Sequence, residues 1–494
     1  MGSRFMNNLN SLQYFVPELF LTAAILVIII ADLLLKKEKK VVTAYLTAAS
    51  LVVTFFLVFQ QYGHPFTSLF EGMIVLDSFA VFFKILTAFS TLIIVFISLP
   101  SFRVQSEYYV LLLIVTLGMF LMVEVNDLLM IILAMEMVGV ISYVLAGYNK
   151  KNVKSNEASL KYVLFGAAST GVMAFGFSYV YGVTGHTNLY AIQDAIVSTH
   201  PQPLPLFVAF LMVLTGLGYK IAMVPFHFWV PDVYEGAPTP VTAFFSVGPK
   251  AAGIALFIRF LITVVSHPYQ GIATEFAQNI EIQAPMLLAV LAVATMTLGN
   301  VSALRQKNIK RMLGYSAIAH VGYMLMALVV FNEEGITAVM FYMIVYLFMN
   351  FGAFWIVETM TPALGSEDIA AYKGLGYRAP FIAVAMGVFM FSLTGIPPMA
   401  GFIGKVYLFA AVIKQQWYIL AILGVLNSVV SLYYYIYVVK VMFLEQIDEP
   451  QPIKVGLYYN ILTWVLLIPT LVMGLYWSPV IKFTSKSFGF FLGK

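Results

Sequence analysis

Leu214-Thr-Gly-Leu-Gly-Tyr-Lys220-Ile-Ala-Met-Val-Pro225 decides how this chain is read. It ends an apolar run that begins near residue 205, and about 20 mostly apolar residues suffice to cross a bilayer. Yet the run holds a lysine. Pro225 removes a backbone donor and frees a carbonyl one turn back, near Ile221. Broken backbone at membrane depth is tolerated only where protein or water satisfies it. The stretch therefore predicts a lysine in a hydrated cavity of a membrane protein. The alternative is a lysine that snorkels to the nearer face.

The composition agrees. The chain has 494 residues, 61% hydrophobic and 10% charged, where soluble proteins carry about 25% charged residues. Fourteen stretches are predicted to span, near 15–35, 41–60, 75–99, 108–124, 127–147, 158–181, 205–224, 240–266, 283–303, 311–331, 335–360, 381–413, 417–439 and 457–476. The expected fold is an all-α polytopic membrane protein with a single domain over 1–494. No soluble domain fits between the spans, and the longest gap, Gly182 to Leu204, shows no periodic core. No signal peptide and no myristoylation motif are read at the N-terminus. Cysteine is absent, which excludes disulfides, cysteine-held Fe–S clusters and thiol catalysis in this chain. No His/Asp/Glu cluster has metal-ligand spacing. A net charge of +4, widely dispersed, gives no nucleic-acid footprint.

Basic residues in alternate loops set the expected orientation. One set of loops carries sixteen: Lys36, Lys37, Lys39, Lys40, Arg103, Lys150, Lys151, Lys154, Arg305, Lys307, Lys310, Arg311, Lys373, Arg378, Lys440 and Lys454. The other set, with both termini, carries five: Arg4, Lys414, Lys482, Lys486 and Lys494. The first set is expected to be cytoplasmic and both termini to lie on the opposite side. The remaining six, Lys84, Lys161, Lys220, Lys250, Arg259 and Lys405, fall inside spans, with Glu136 on the acidic side. At about 2.5–3.5 kcal/mol each, such residues would cost roughly 15–20 kcal/mol before compensation.

Lys250 follows Pro249 and lies ten residues past Pro240, about 15 Å deep by helical rise, too far to snorkel easily. Lys405 follows Leu393-Thr-Gly-Ile-Pro-Pro-Met-Ala-Gly-Phe-Ile-Gly404, in which Pro397 and Pro398 break span twelve. The triplet Leu-Thr-Gly recurs at 214–216 and 393–395, each near a prolyl break and a lysine. Broken helices at matching places in two halves point to a transporter site. Spans four to eight (108–266) and nine to thirteen (283–439) are thus expected to be two inverted five-helix repeats. Glu136 has only apolar neighbours for a turn on either side. An isolated carboxylate there would stay neutral, whereas a lysine partner would keep both charged. His320 lies nine residues past Arg311, about 13 Å deep, and is a candidate proton relay. His227 sits near the cytoplasmic boundary and could serve uptake. Lys161 is either functional or the partner of Glu157 at i,i+4. Arg259 is expected to reach the interface. Lys84 shares a face with Asp77, two turns before it, and both bases are expected to be structural.

Pro225-Phe-His-Phe-Trp-Val-Pro-Asp-Val-Tyr-Glu-Gly-Ala-Pro-Thr-Pro240 resembles a loop signature of the antiporter-like membrane subunits of complex I, and its second half that of the subunit N branch. Asn300-Val-Ser-Ala-Leu-Arg-Gln-Lys-Asn-Ile-Lys-Arg-Met-Leu-Gly-Tyr-Ser-Ala-Ile-Ala-His320 and Ser392-Leu-Thr-Gly-Ile-Pro-Pro-Met-Ala-Gly-Phe402 extend the resemblance over nearly the whole chain. It implies a proton-translocating subunit of NADH–quinone oxidoreductase. Glu136 matches the family's span-five glutamate; Lys220, Lys250 and Lys405 match its lysines of spans seven, eight and twelve. Lys161 matches a span-six lysine, and Glu107 a further acidic position. Lys405 argues against the sister subunit that usually has Glu there, and the short stretch after span fourteen against the sister with a long lateral helix.

The resemblance implies no cofactor in this chain, with NADH, FMN, Fe–S clusters and quinone held by partner subunits. It implies a neighbouring antiporter-like subunit, small membrane subunits and lipid as partners, and a bacterial plasma membrane as location. The implied mechanism is electrostatic: Glu136 tunes Lys220, and a proton passes by Lys250 and His320 to Lys405. Rival readings are an Mrp-type cation/proton antiporter subunit, a membrane hydrogenase subunit and a passive scaffold.

Overall fold

The computed structural model describes residues 8–36, 39–102, 105–199, 201–265, 275–445, 447 and 451–489. Arg4, Lys37, Arg103 and Lys494 of the topology count lie outside the described residues. Nearly all the rest is helix. The first half holds α1 (Val16–Leu34), α2 (Val41–Gln60), α3 (Ser78–Phe102), α4 (Ser106–Glu124), α5 (Leu128–Ala146) and α6 (Val153–Thr184). Then come α7 (Leu189–Thr199), α8 (Pro203–Ile221), α9 (Val230–Gly236) and α10 (Thr239–Phe260). The second half holds α11 (Glu275–Ala303), α12 (Ile309–Leu328), α13 (Glu333–Leu364), α14 (Pro380–Thr394) and α15 (Ala400–Lys414). The chain finishes with α16 (Tyr418–Leu444), α17 (Leu457–Leu475) and α18 (Ser478–Gly489).

Each of the fourteen expected stretches is helical. Twelve of these helices are long and apolar enough to cross a membrane by length and composition. The other two stretches are α12, which carries Lys310, Arg311 and His320, and the stretch divided between α14 and α15. Local caps explain several boundaries. Asp127 accepts from Leu129 N at 2.9 Å at the start of α5, and Asn308 accepts from Arg311 N at 3.0 Å at the start of α12. Each side chain satisfies donors that a helix start leaves orphaned.

All 22 residues of α10 are buried, and it packs on α3, α4 and α13. With α12 and α13, also largely buried, it forms the centre of the bundle. α1, α2 and α6 keep broad apolar faces outward, as a lipid-facing position allows.

Four details differ from the expectations. A short antiparallel hairpin, β1 (Thr67–Leu69) and β2 (Ile74–Leu76), interrupts the all-α pattern. The gap after Gly182 contains the amphipathic α7, which buries Leu189, Ile192, Ala195 and Ile196. The Leu-Thr-Gly triplets are not equivalent, because Gly216 lies inside α8 whereas Gly395 closes α14. The matching features are the left-handed caps Ala222 and Gly395, each followed by a cis X–Pro bond, at Pro225 and Pro398. Finally, Glu136 is not the sole acidic partner inside the bundle. Glu18 and Glu124 are buried too, and both pair with Lys84.

Candidate functional site

The buried bases divide into paired and unpaired groups. Lys84 meets Glu18 at 2.5 Å and also Glu124, all three at most 1% exposed. Asp77 turns instead to Arg259, which donates to it through two nitrogens at 2.9 and 3.1 Å and to Val123 O at 3.2 Å. Arg259 is thus fully buried and does not reach the interface. Lys84 and Arg259 are structural ion pairs, although the partner expected for Lys84 belongs to Arg259.

Lys161 joins a web at the face that carries the basic loops. It pairs with Glu157 and Asp232, both at 2.6 Å. Arg311 bridges Asp232 at 2.5 Å and Glu235 at 3.1 Å, and Lys154 pairs with Glu235 at 2.7 Å. The web fastens α9 between α6 and α12. Burial alone would raise the Asp232 carboxyl, but hydrogen bonds from Lys161 and Arg311, with their charges, hold it below the usual carboxylate range. Lys154 and Arg311 do the same for Glu235. Glu107 is exposed in the first turn of α4. Burial, aided by the nearby Glu107 charge, pushes the Tyr148 hydroxyl well up. The structure therefore places Lys161 in the ion-pair web and Glu107 beside Tyr148.

Three lysines remain. Among the described residues, none of Lys220, Lys250 and Lys405 has a carboxylate within the 4.0 Å of an ion pair. Lys220 stands in the last turn of α8, 6% exposed, with its stem against Gly253 of α10. The charge that reaches it is that of Glu136 on α5. Glu136 is only partly buried, unlike the lysines. The break after Lys220 is held by named partners: Trp229 Nε1 donates to Tyr219 O at 3.1 Å, and Val224 N donates to Thr295 Oγ1 at 3.1 Å. Trp229 in turn stacks on Tyr162 at 4.3 Å. His227 lies in the break, 4% exposed, with Nδ1 buried and without a partner among the described residues.

Lys250 is 1% exposed on central α10. Its Nζ makes no hydrogen bond among the described residues and lies 5.5 Å from the centroid of the Tyr234 ring. His320 is held at both ring nitrogens: Tyr342 Oη lies 2.6 Å from Nδ1 and Tyr435 Oη lies 3.1 Å from Nε2. Tyr435 Oη continues to Ser316 Oγ at 2.5 Å. The charges acting on His320 are those of Lys405 and Lys250. Lys405 donates to Thr394 O at 2.7 Å and Ser428 Oγ at 2.9 Å, and lies 4.7 Å from the Tyr323 ring centroid. Thr394 O is available because the helix stops at Gly395.

Neutral partners suit a group that must exchange a proton. A carboxylate in contact would hold a lysine charged, whereas a carbonyl, a hydroxyl or an aromatic face leaves both protonation states accessible. The sequence reading missed Tyr342 and Tyr435 as the partners of His320, Thr394 and Ser428 as those of Lys405, and Glu358. Glu358 was open to detection as an acidic residue inside an apolar run. The others carried no local signal.

Known proteins share the sequence and the fold of this chain. The family described as NADH:quinone oxidoreductase/Mrp antiporter, TM, matches residues 125–431. NADH-quinone oxidoreductase subunit N of Anaeromyxobacter sp. is 44% identical, over 86% of each chain. NADH-quinone oxidoreductase subunit N 2 of Chloroherpeton thalassium is 42% identical, over 96% of this chain and 94% of that one. A chain of respiratory complex I from Thermus thermophilus superposes with a TM-score of 0.78 at 28% identity, covering 94% of this chain and 98% of that one. A chain of the Mrp complex from Dietzia sp. shares the fold, with a TM-score of 0.81 at 20% identity and 96% of each chain covered. This chain belongs to the NADH:quinone oxidoreductase/Mrp antiporter transmembrane family, and within it to the subunit N branch.

Proposed function

We propose that this chain carries protons across the membrane through Lys220, Lys250, His320 and Lys405, as the subunit N component of NADH–quinone oxidoreductase. One observation carries the assignment of residues. The buried bases Lys84 and Arg259 are matched by carboxylates, while the three central lysines have none in contact among the described residues, and the charges of two of them, Lys250 and Lys405, reach a doubly hydrogen-bonded histidine.

Desolvation disfavours a charged lysine, and an approaching carboxylate restores it. Glu136 is the control charge for Lys220. Its partial exposure leaves its side chain room to change position. A proton given up at Lys220 passes by Lys250 and His320 to Lys405, which releases it at the opposite face. Each lysine is reset by the next, because two like charges in a poorly solvated interior repel strongly. Hydride and electron chemistry belongs to partner subunits that hold NADH, FMN, Fe–S clusters and quinone; this chain contributes no redox centre. Its neighbours are other membrane subunits of complex I, among them a second antiporter-like chain. The loops rich in Lys and Arg face the cytoplasm of a bacterial cell, and both termini lie outside. The two broken elements, α8–α9 and α14–α15, belong to two inverted halves.

The test uses the assembled complex in sealed vesicles, with quinone reduction and proton pumping measured together. Glu136→Gln is expected to abolish this subunit's share of pumping while quinone reduction persists. Lys405→Arg is expected to do the same, because arginine is effectively never deprotonated. Normal pumping stoichiometry in both variants would sink the assignment.

A further inference from the structure

Away from the central lysines, the face with the basic loops holds a polar cavity of about 590 Å³. Ser101, Lys154, Lys310, Glu358 and Glu367 line it, together with Thr239 at the start of α10. Lys310 is engaged, by Glu367 at 2.8 Å and by Ala237 O at 2.8 Å. Glu358 sits on α13, two turns before its end, and accepts a hydrogen bond from Ser101 Oγ.

Two polar stripes run inward from this cavity. On α10, Thr242, Ser246 and Lys250 recur at every fourth residue, which puts them on one face. On α13 the same spacing gives Tyr342, Tyr346 and Asn350, with Glu358 two turns further on. Asn350 Nδ2 donates to Ser246 Oγ at 2.6 Å, so the stripes face each other. The Tyr346 ring lies tilted against His320, with ring centroids 5.1 Å apart. Asn350 Oδ1, Lys250 Nζ, Tyr346 Oη and Tyr234 Oη are buried along this seam, and no partner for them lies among the described residues. Buried polar atoms are nearly always satisfied, by protein or by ordered water. Four such atoms in one seam that ends at a polar cavity mark a hydrated path and not four isolated defects.

We propose that Glu358 is the proton-collecting group of this chain, and that the seam from Glu358 past Asn350 and Ser246 to Lys250 is the water-bridged uptake branch from the basic-loop face. The inference rests on the proposed proton path and adds an entry that joins it at Lys250. Glu358 suits the task because it stands between bulk water and the first buried base. The charged and titratable groups that face it are Lys310, Glu367, Lys154, Glu235 and Tyr108. The two lysines there are already engaged by Glu367 and Glu235, which leaves the Glu358 carboxylate to exchange a proton.

The experiment uses the assembled complex in vesicles with the basic-loop face outward. With Glu358→Gln, coupled turnover is expected to fall roughly tenfold, less than the 10²–10⁴ a positioned acid–base group supplies, because other steps also limit the rate. The deficit is expected to widen as the outer pH is raised from about 6 to about 8, where free protons grow scarce and a fixed collecting group matters more. Glu358→Asp is expected to restore most of the rate. The chain has no native cysteine, so labelling of Glu358→Cys and Asn350→Cys with a small cationic methanethiosulfonate, read on this subunit after separation from its partners, reports those positions alone. Both are expected to react from the basic-loop face, while Ile356→Cys, buried on another face of the same helix, stays protected. Wild-type turnover of Glu358→Gln at every pH, or protection of both cysteines, would overturn the proposal. If Glu358→Gln does not assemble, Glu358→Asp and the Asn350→Cys labelling decide. Impaired pumping in Lys250→Ala beside normal Glu358→Gln would overturn the uptake branch alone; normal pumping in Lys250→Ala would remove the whole path.

Discussion

Gly395→Ala is expected to stall proton release at Lys405 without dismantling the chain. Gly395 closes α14 at φ +88°, a left-handed backbone that costs other residues roughly 1–2 kcal/mol. The added methyl would lie 2.8 Å from Lys405 Cδ and 3.6 Å from Nζ, and crowding of this kind typically costs about 1–3 kcal/mol. Strain and crowding together come to about 2–5 kcal/mol. The lysine can escape part of this by swinging away, but it then loses Thr394 O at 2.7 Å or Ser428 Oγ at 2.9 Å. A hydrogen bond from a charged donor is worth about 1.5–3 kcal/mol, which alters the protonation equilibrium roughly 10- to 100-fold. The assay is pumping per quinone reduced, in vesicles, with the amount of assembled complex measured on the same sample. Gly395→Ala is expected to assemble at reduced yield and to pump about tenfold less. Gly395→Asn separates the causes, since asparagine visits the left-handed region with less strain yet still crowds the lysine. It is expected to assemble better and pump as poorly. Normal pumping by Gly395→Asn would show that the position matters through backbone strain alone and would refute the lysine-displacement argument.

Two further outcomes follow from the ion pairs. Lys84→Met leaves Glu18 and Glu124 buried without their cation, and breaking such a pair costs about 3–5 kcal/mol; a sharp drop in thermal stability is expected, relieved when Glu18→Gln and Glu124→Gln are added. Asp232 is held below the usual carboxylate range, so its contribution is present at neutral pH and lost as pH falls through the lowered folded value, below about pH 4. Thermal melts of the wild type should weaken in that acid window, and those of Asp232→Asn should be less stable at neutral pH and flatter below it.

The legible part of the site is the part encoded locally. An apolar run declares a span, and a lysine within it declares a desolvated charge, so Lys220, Lys250, His320 and Lys405 could be found one at a time. Proline and glycine likewise announced the breaks after Ile221 and Thr394. The same method misassigned Asp77, because helical spacing placed it on the Lys84 face while Arg259 on α10 captures it. It also passed over Glu18 and Glu124, each at the edge of an apolar run where an acid looks like an interfacial cap.

Tyr342, Tyr435 and Asn350 gave no such warning. In a chain with 29 tyrosines, nothing local distinguishes a hydroxyl that clamps a histidine from one that fills space. The contact that joins the two polar stripes, Asn350 to Ser246, spans 104 positions. Such pairs exist only after the helices have packed.

By itself, then, the sequence determined that this is a polytopic helical membrane protein, where its apolar runs and breaks lie and that Lys84, Lys220, Lys250 and Lys405 fall within those runs. Burial in hydrocarbon is a property of one segment and its solvent. Only the tertiary structure decided which of those bases meet a carboxylate and which have none in contact among the described residues. Ion pairing falls off within a few ångströms in its effect on a buried charge, and the helices that come within that range are chosen by packing across the whole bundle.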